Sequence, residues 1–492
     1  MMKNIKKYLS ILVMALLFNA CHNLDEINDN PNYVNETHPQ LLLTEIASNA
    51  FQVEGTRALY ASRMIIQTGE ENNYQFYKWG NGSFAPYNEL RQITKMIEEA
   101  QRIENSNYVA IGKFFRAYYF YKLSLSFGDI PYSEALAGET GNYQPGYDSQ
   151  ERVFAGIINE LDEAAGLINN NETIDGDIIY NGNPTNWLKL INSFQLKVLM
   201  TLSGKEQVEG INISEKFNEV YQRGNLINSL DENAQLVFVD QQDSRYTEFN
   251  SSSYASSMFM SATFVDLLKE LKDNRLFIIA EQTSSATSEA KPIEDFESYN
   301  GGDPTANYSL ISETLVADGN ISKVNARYYT NPTTEPHNIL SYWEIEYILA
   351  EATVREWINS DASQHYENAV RANFEFYRNH AEEYNMYLSE AYVNQYLSQE
   401  NVKLPVADKE VLLERILTQK YLTSFLQGGW TQYYDYLRTG HPYFKFTNAN
   451  TPPKRFVYPN DEYNNNTRNL EEAINSQFNG NDGIRETPWW LN

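Results

Sequence analysis

Residues 72–87 read NNYQFYKWGNGSFAPY. Tyr74, Phe76, Tyr77, Trp79, Phe84 and Tyr87 place flat rings within a few positions of one another, with no Leu, Ile or Val between them. Glu70, Glu71, Asn72, Asn73, Gln75 and Asn81 set hydrogen-bonding groups beside those rings. Aromatic plates next to amide and carboxylate groups suit a ligand that carries hydroxyls around its edge and C–H bonds on its faces. Trp79 stands out because the neighbouring Gly80 leaves room for a partner to approach. On this reading Trp79→Ala weakens binding and leaves the melting temperature nearly unchanged. The opposing reading is that the rings pack beneath the loop, since burying one such side chain is worth about 1.5–3 kcal/mol.

Two further stretches have similar chemistry. Residues 297–309 (ESYNGGDPTANYS) set Tyr299, Asn300, Asp303, Asn307 and Tyr308 around Gly301-Gly302, which reads as a flexible turn. Residues 244–254 (SRYTEFNSSSY) offer Arg245, Tyr246, Asn250 and Tyr254, with Arg245 suited to an anionic sugar. No catalytic signature accompanies them. The chain holds no HExxH, nucleophile elbow, Walker A loop or dinucleotide fingerprint. Sixty-five acidic residues never exclude a carboxylate pair, so a glycoside hydrolase stays open, although nothing singles out a pair. Metal binding is weakly signalled. Asp175–Asp177 (DGD) and residues 28–32 (NDNPN) carry oxygen ligands without the spacing of a calcium loop, and turn or cap roles suit them better. No cofactor is expected beyond a structural calcium ion at most.

The formal charge of the 492-residue chain is −27. Such a field repels nucleic-acid phosphates and anionic lipid headgroups, so neither is an expected partner. Residues 1–20 carry Lys3, Lys6 and Lys7 and then the apolar run ILVMALLF at 11–18, too short to span a bilayer. These features read as a signal peptide. Cys21 is the sole cysteine, so the chain cannot form an intramolecular disulfide. The run ending at Ala20-Cys21 resembles a bacterial lipoprotein signal, with Phe18 and Asn19 departing from the usual pattern. That resemblance implies lipidation of Cys21. Residues 21–38 then form a tether whose Asp25, Glu26 and Asp29 resemble the surface-export signals of Bacteroidetes lipoproteins.

The scaffold that must hold the loops is helical. Leu90, Ile93, Ile97 and Ala100 mark one helix beginning after Pro86; Ile111, Phe114, Tyr118 and Leu125 mark a second, ending at Gly128. Trp187, Leu190, Phe194 and Val198 mark a third after Pro184. Residues 342–377 read as a helical hairpin broken at NSDAS, and Leu413, Ile416, Leu417, Tyr421 and Phe425 mark a helix stopped by Gly428-Gly429. Paired helices with small residues at their crossings resemble tetratricopeptide units. No linker splits the chain, which predicts a single, mostly α domain over 39–492 with long irregular loops.

Six segments in order resemble the SusD/RagB family of outer-membrane lipoproteins. They are LDEINDNPN (24–32), AIGKFFRAYYFYKLSLSFGDIPY (110–132), NWLKLINSFQLKVLMTLSG (186–204), LAEATVREW (349–357), QKYLTSFLQGGWTQYYDYLRTGHP (419–442) and PPKRFVYPNDEYNNN (452–466). Ile191 and His441 depart from the family's usual Ala and Tyr. The resemblance implies a non-catalytic nutrient-binding protein, lipid-anchored at Cys21 on the exterior of the outer membrane. It implies a partner, a SusC-like TonB-dependent transporter over which the protein forms a lid, and most often an oligosaccharide ligand. Some members of the family serve peptide-derived nutrients instead.

Overall fold

The computed structural model describes residues 37–492. The expectations at Cys21, the signal segment and residues 28–32 lie outside them.

Helices that follow one another in sequence pack as neighbours. Helix α1 (Pro39–Ala50) and the short α2 (Thr56–Ala61) precede α3 (Pro86–Arg102) and α4 (Ser106–Phe127). Next come α5 (Gln150–Leu167) and α6 (Pro184–Thr201). α4 packs on both α3 and α5, and α5 on α6. It is buried around its whole circumference, as its run of aromatic residues requires. Two of its charges reach outward to α5, where Lys113 pairs with Glu163 and Arg116 with Glu160. Pro86 and Pro184 start their helices at positions where a missing N–H costs nothing.

In the second half, α7 (Ala262–Glu270) is followed by α8 (Tyr342–Val354), α9 (Ala362–His380), α10 (Lys409–Leu422) and α11 (Thr431–Thr439). α8 packs on α9 and α10 and also touches α6, which joins the two halves into a single mostly helical domain. The predicted hairpin over 342–377 is α8 and α9, with Asp361 of the NSDAS break capping α9. Helix α10 stops at Leu422, short of the glycine pair expected to end it. Thr423 and Ser424 turn their hydroxyls onto the carbonyls of Lys420 and Tyr421, both at 2.7 Å, and satisfy the helix end early.

Among the described residues six short strands form antiparallel pairs: β1 (Ile65–Gln67) with β5 (Met258–Met260), β2 (Gln207–Val208) with β3 (Ile211–Asn212), and β4 (Ala234–Leu236) with β6 (His337–Leu340). The first pair fixes where the aromatic loop begins. β1 leads directly into residues 68–85, and its register sets Ile65 opposite Met260 and Gln67 opposite Met258.

Candidate functional site: an aromatic cleft

The loop between β1 and α3 is built by its own amides. Asn72 Oδ1 accepts the N–H groups of Tyr74 (2.9 Å) and Gln75 (3.0 Å), which closes a turn. Gln75 is fully buried; its Oε1 accepts Gln67 N–H at 2.8 Å and its Nε2 donates to Pro304 O at 3.3 Å. Gln75 and Asn72, which read as polar partners for ligand, thus hold the loop in shape.

Beneath them lies Arg63, 2% exposed, with its guanidinium 3.7 Å from the Tyr77 ring centroid. It donates to Gln75 O and, through Nε at 3.0 Å, to Lys445 O. Burial lowers its pKa, and the surrounding tyrosines oppose that shift.

One ring cluster dominates the surface of the loop. Trp79 stacks on Phe456, with centroids 4.7 Å apart and planes 20° apart, and meets Trp430 edge-on at 5.2 Å. Tyr74 lies 5.9 Å from Trp79 and 6.2 Å from Trp430. Trp79 is only 7% exposed, whereas Tyr74, Trp430 and Phe456 are half-buried. These three half-buried rings, with Arg57, Asn81 and Lys122, line an open cleft of about 550 Å³. Arg57 is exposed and sits 5.3 Å over the Tyr74 ring. Asn81 is exposed, and its amide donates to Tyr458 O at 2.6 Å.

Glu54 and Lys122 form an ion pair at the cleft floor. Burial alone would lift the Glu54 pKa, but Lys122 outweighs it and holds the carboxyl below its ordinary value. Burial would likewise lower Lys122, and Glu54 raises it well above the usual lysine range. The pair is therefore charged on both sides. A narrower chamber of about 60 Å³ opens beside it, with His337, Lys197 and Tyr434 among its lining. His337 Nδ1 donates to Phe51 O at 2.7 Å, and burial lowers its pKa to about 4, so the ring is neutral near pH 7.

Trp430 is held from behind. Gly428 and Gly429 adopt φ of 69° and 55°, a region that suits glycine, and a Cβ on Gly429 would stand 2.2 Å from Glu54 Oε2. The Trp430 backbone also helps to hold the Glu54 pKa down.

Several candidates are corrected by burial. Of the candidate ligand-binding residues, Trp79, Tyr77, Tyr246 and Tyr299 are all in the core. Tyr77 donates its hydroxyl to Ala61 O at 2.9 Å, and Tyr299 to Ile293 O at 3.0 Å. Tyr246 stands edge-on to Phe238. Asn73 is exposed and Phe76 half-buried, but neither lines the cleft. Arg245 is exposed and paired with Asp240 at 2.7 Å.

The turn at Gly301-Gly302 is packed against the start of α7. Gly302 N–H donates to Met260 O at 3.0 Å, and a Cβ on Gly301 would lie 2.3 Å from Ala262 N. There Asn300 donates to Asn320 O at 2.8 Å, Tyr308 is half-buried at the start of a short helix, and Asp303 pairs with Lys445 at 2.7 Å. Pro304 O ties this turn to the aromatic loop through Gln75, but its side chains do not enter the cleft. Sequence reasoning missed Trp430, Phe456 and Arg57 as lining. The signal for Trp430 was available, since a tryptophan beside glycines is the pattern that picked out Trp79.

Asp177 of the DGD motif serves as a turn acceptor. It takes the N–H groups of Ile179 and Gly182 and the Trp187 indole, each at 2.9 Å. Among the described residues no group of three or more His, Cys, Asp or Glu side chains is placed to hold a metal ion.

Residues 31–459 match the family described as starch-binding and associating with the outer membrane. The chain belongs to the SusD-like family. A SusD homolog from Bacteroides fragilis is 48% identical with a TM-score of 0.89, covering 93% of this chain and 100% of its own. A candidate outer membrane protein for nutrient binding from Bacteroides vulgatus is also 48% identical, with a TM-score of 0.90 and the same coverage. A second SusD homolog from B. fragilis, at 31% identity and TM-score 0.87, again covers 93% of this chain and 100% of that one. No curated protein matches the chain. At the family level these likenesses support SusD-like nutrient binding at the outer membrane. Among the described residues of this SusD-like chain no helix is long and apolar enough to cross a membrane.

Proposed function

We propose that the protein captures a neutral oligosaccharide in the cleft between Tyr74 and Trp430 and hands it, uncleaved, to a SusC-like TonB-dependent transporter. On this reading it is anchored to the outer membrane through lipid on Cys21 and faces the cell exterior. The observation that carries the binding step is the pair of half-buried rings, 6.2 Å apart, in a cleft of about 550 Å³ beside Arg57 and Asn81. Rings present apolar faces for sugar C–H groups, and the guanidinium and amide serve the hydroxyls. The floor ion pair cancels its own charge, and the negative field of the whole chain works against an anionic ligand despite Arg57. Hydrolysis of a glycoside calls for two carboxyl groups flanking the bond. The cleft lining has one, Glu54, and it is committed to Lys122.

Calorimetry of the purified protein against panels of oligosaccharides and peptides tests this reading. An oligosaccharide should bind without release of reducing ends, and Trp430→Ala should weaken it at least tenfold. Binding of peptides alone would redirect the ligand class. Release of reducing ends would overturn the non-catalytic assignment.

A further inference from the structure

A second cleft, of about 560 Å³, lies between α7, α10, the turn at Asp303-Pro304 and the segment 442–445. Its lining shares no residue with the Tyr74–Trp430 cleft. Tyr443 is 66% exposed there, unusual for so large a ring, and touches one other ring, Phe446, at 6.1 Å. Around it stand Lys445, the hydroxyls of Thr263 and Thr418, and the carboxylates of Asp266, Glu270 and Glu414. None of these three carboxylates has an ion-pair partner among the described residues. They are not placed to share a metal ion. What the cleft offers is an open aromatic face ringed by acceptors, with a lysine donor held in place by Asp303 at 2.7 Å.

That chemistry matches a polyhydroxylated ligand: the ring takes a C–H face and each carboxylate can accept from two hydroxyls. The loops that form the two clefts are also anchored on common buried residues. Arg63 donates both to Gln75 O in the aromatic loop and to Lys445 O beside Tyr443. Gln75 itself donates to Pro304 O, in the turn that lines the second cleft.

We infer that the Tyr443 cleft is a second carbohydrate site, weaker than the first and separate from it. The inference rests on the proposed reading of the protein as a glycan binder, and the test keeps the two apart. Calorimetry and saturation-transfer NMR are run with the oligosaccharide that binds best in the panel, on the wild type, Tyr443→Ala and Trp430→Ala. In the wild type two binding events are expected. Tyr443→Ala should abolish the weaker event and leave the tighter affinity within twofold, whereas Trp430→Ala should do the reverse. Because Tyr443 is exposed, its truncation should leave the melting temperature unchanged, which controls for folding. A Tyr443→Ala titration that superimposes on the wild type overturns the second site and leaves the first standing. Loss of the weaker event in 1 M salt would show a ligand held by charge and overturn the polyol assignment. If no oligosaccharide binds the wild type, the glycan reading falls, and the second site with it.

Discussion

The indole of Trp79 lies flat against Phe456, with ring centroids 4.7 Å apart. The contact closes a gap in sequence of more than 370 positions and seals the back of the cleft. Trp79 is thus a packing residue first. Trp79→Ala should destabilise the fold by about 3 kcal/mol or more, the usual range for an aromatic deletion in a core, read as a lower denaturation midpoint. Any loss of ligand affinity should accompany that destabilisation. A variant that binds weakly at full stability would restore Trp79 as an open plate.

Gly429 faces the Glu54 carboxylate with no room for a methyl group. Gly429→Ala should displace Trp430, weaken binding several-fold, and lower stability by about 1–2 kcal/mol through the positive φ alone. Gly80 is the control. A Cβ there meets nothing within 4 Å and its φ is not positive, so Gly80→Ala should leave both unchanged. Equal behaviour of the two variants in melting and titration would refute this account of the Gly-Gly-Trp turn.

Arg438 grips Glu351 with two parallel contacts, Nη1–Oε1 at 2.5 Å and Nη2–Oε2 at 2.9 Å, both side chains almost fully buried. They belong to two of the sequence segments that carry the family resemblance, LAEATVREW and YYDYLRTG. Glu351→Gln leaves Arg438 with Asp435 alone, at 2.8 Å, and Arg355 without its carboxylate partner, and should cost about 3 kcal/mol. Adding Arg438→Met should recover part of that loss. Urea unfolding of the two single variants and the double variant measures the coupling, and strict additivity would contradict it.

His337 is 2% exposed, and burial lowers its pKa from 6.5 to about 4, with Glu54 and Lys122 as its charged neighbours. The unfolded chain therefore takes up the proton first as pH falls. The stability linked to a neutral His337 is intact above about pH 6.5 and lost between there and pH 4, roughly 3 kcal/mol over the window. His337→Gln should flatten the fall in melting temperature across that range relative to the wild type. Parallel curves would show that other groups govern the acid response.

The scaffold was legible because its signals are local. Apolar residues recur at helical spacing, Pro86 and Pro184 start helices where expected, and motif order pointed to the family. The cleft was only half legible. The loop 72–87 announced rings, but which of them face water depends on Trp430 and Phe456, far along the chain. Tyr77 and Trp79 differ from Tyr74 in no local feature that would mark them as core. The turn at Gly301-Gly302 looked mobile for the same reason. Its glycines answer to the approach of the Ala262 backbone, which no local pattern reveals.

Arg63 holds both loops by backbone carbonyls, at Gln75 and Lys445. A carbonyl is the same group whatever side chain its residue carries. The outward-facing side chains beside these anchor points can therefore be exchanged without loosening the clamp, provided Gln75 keeps its buried contacts. A protein fastened this way can change its diet by substitution at the loop surface while its frame stays untouched.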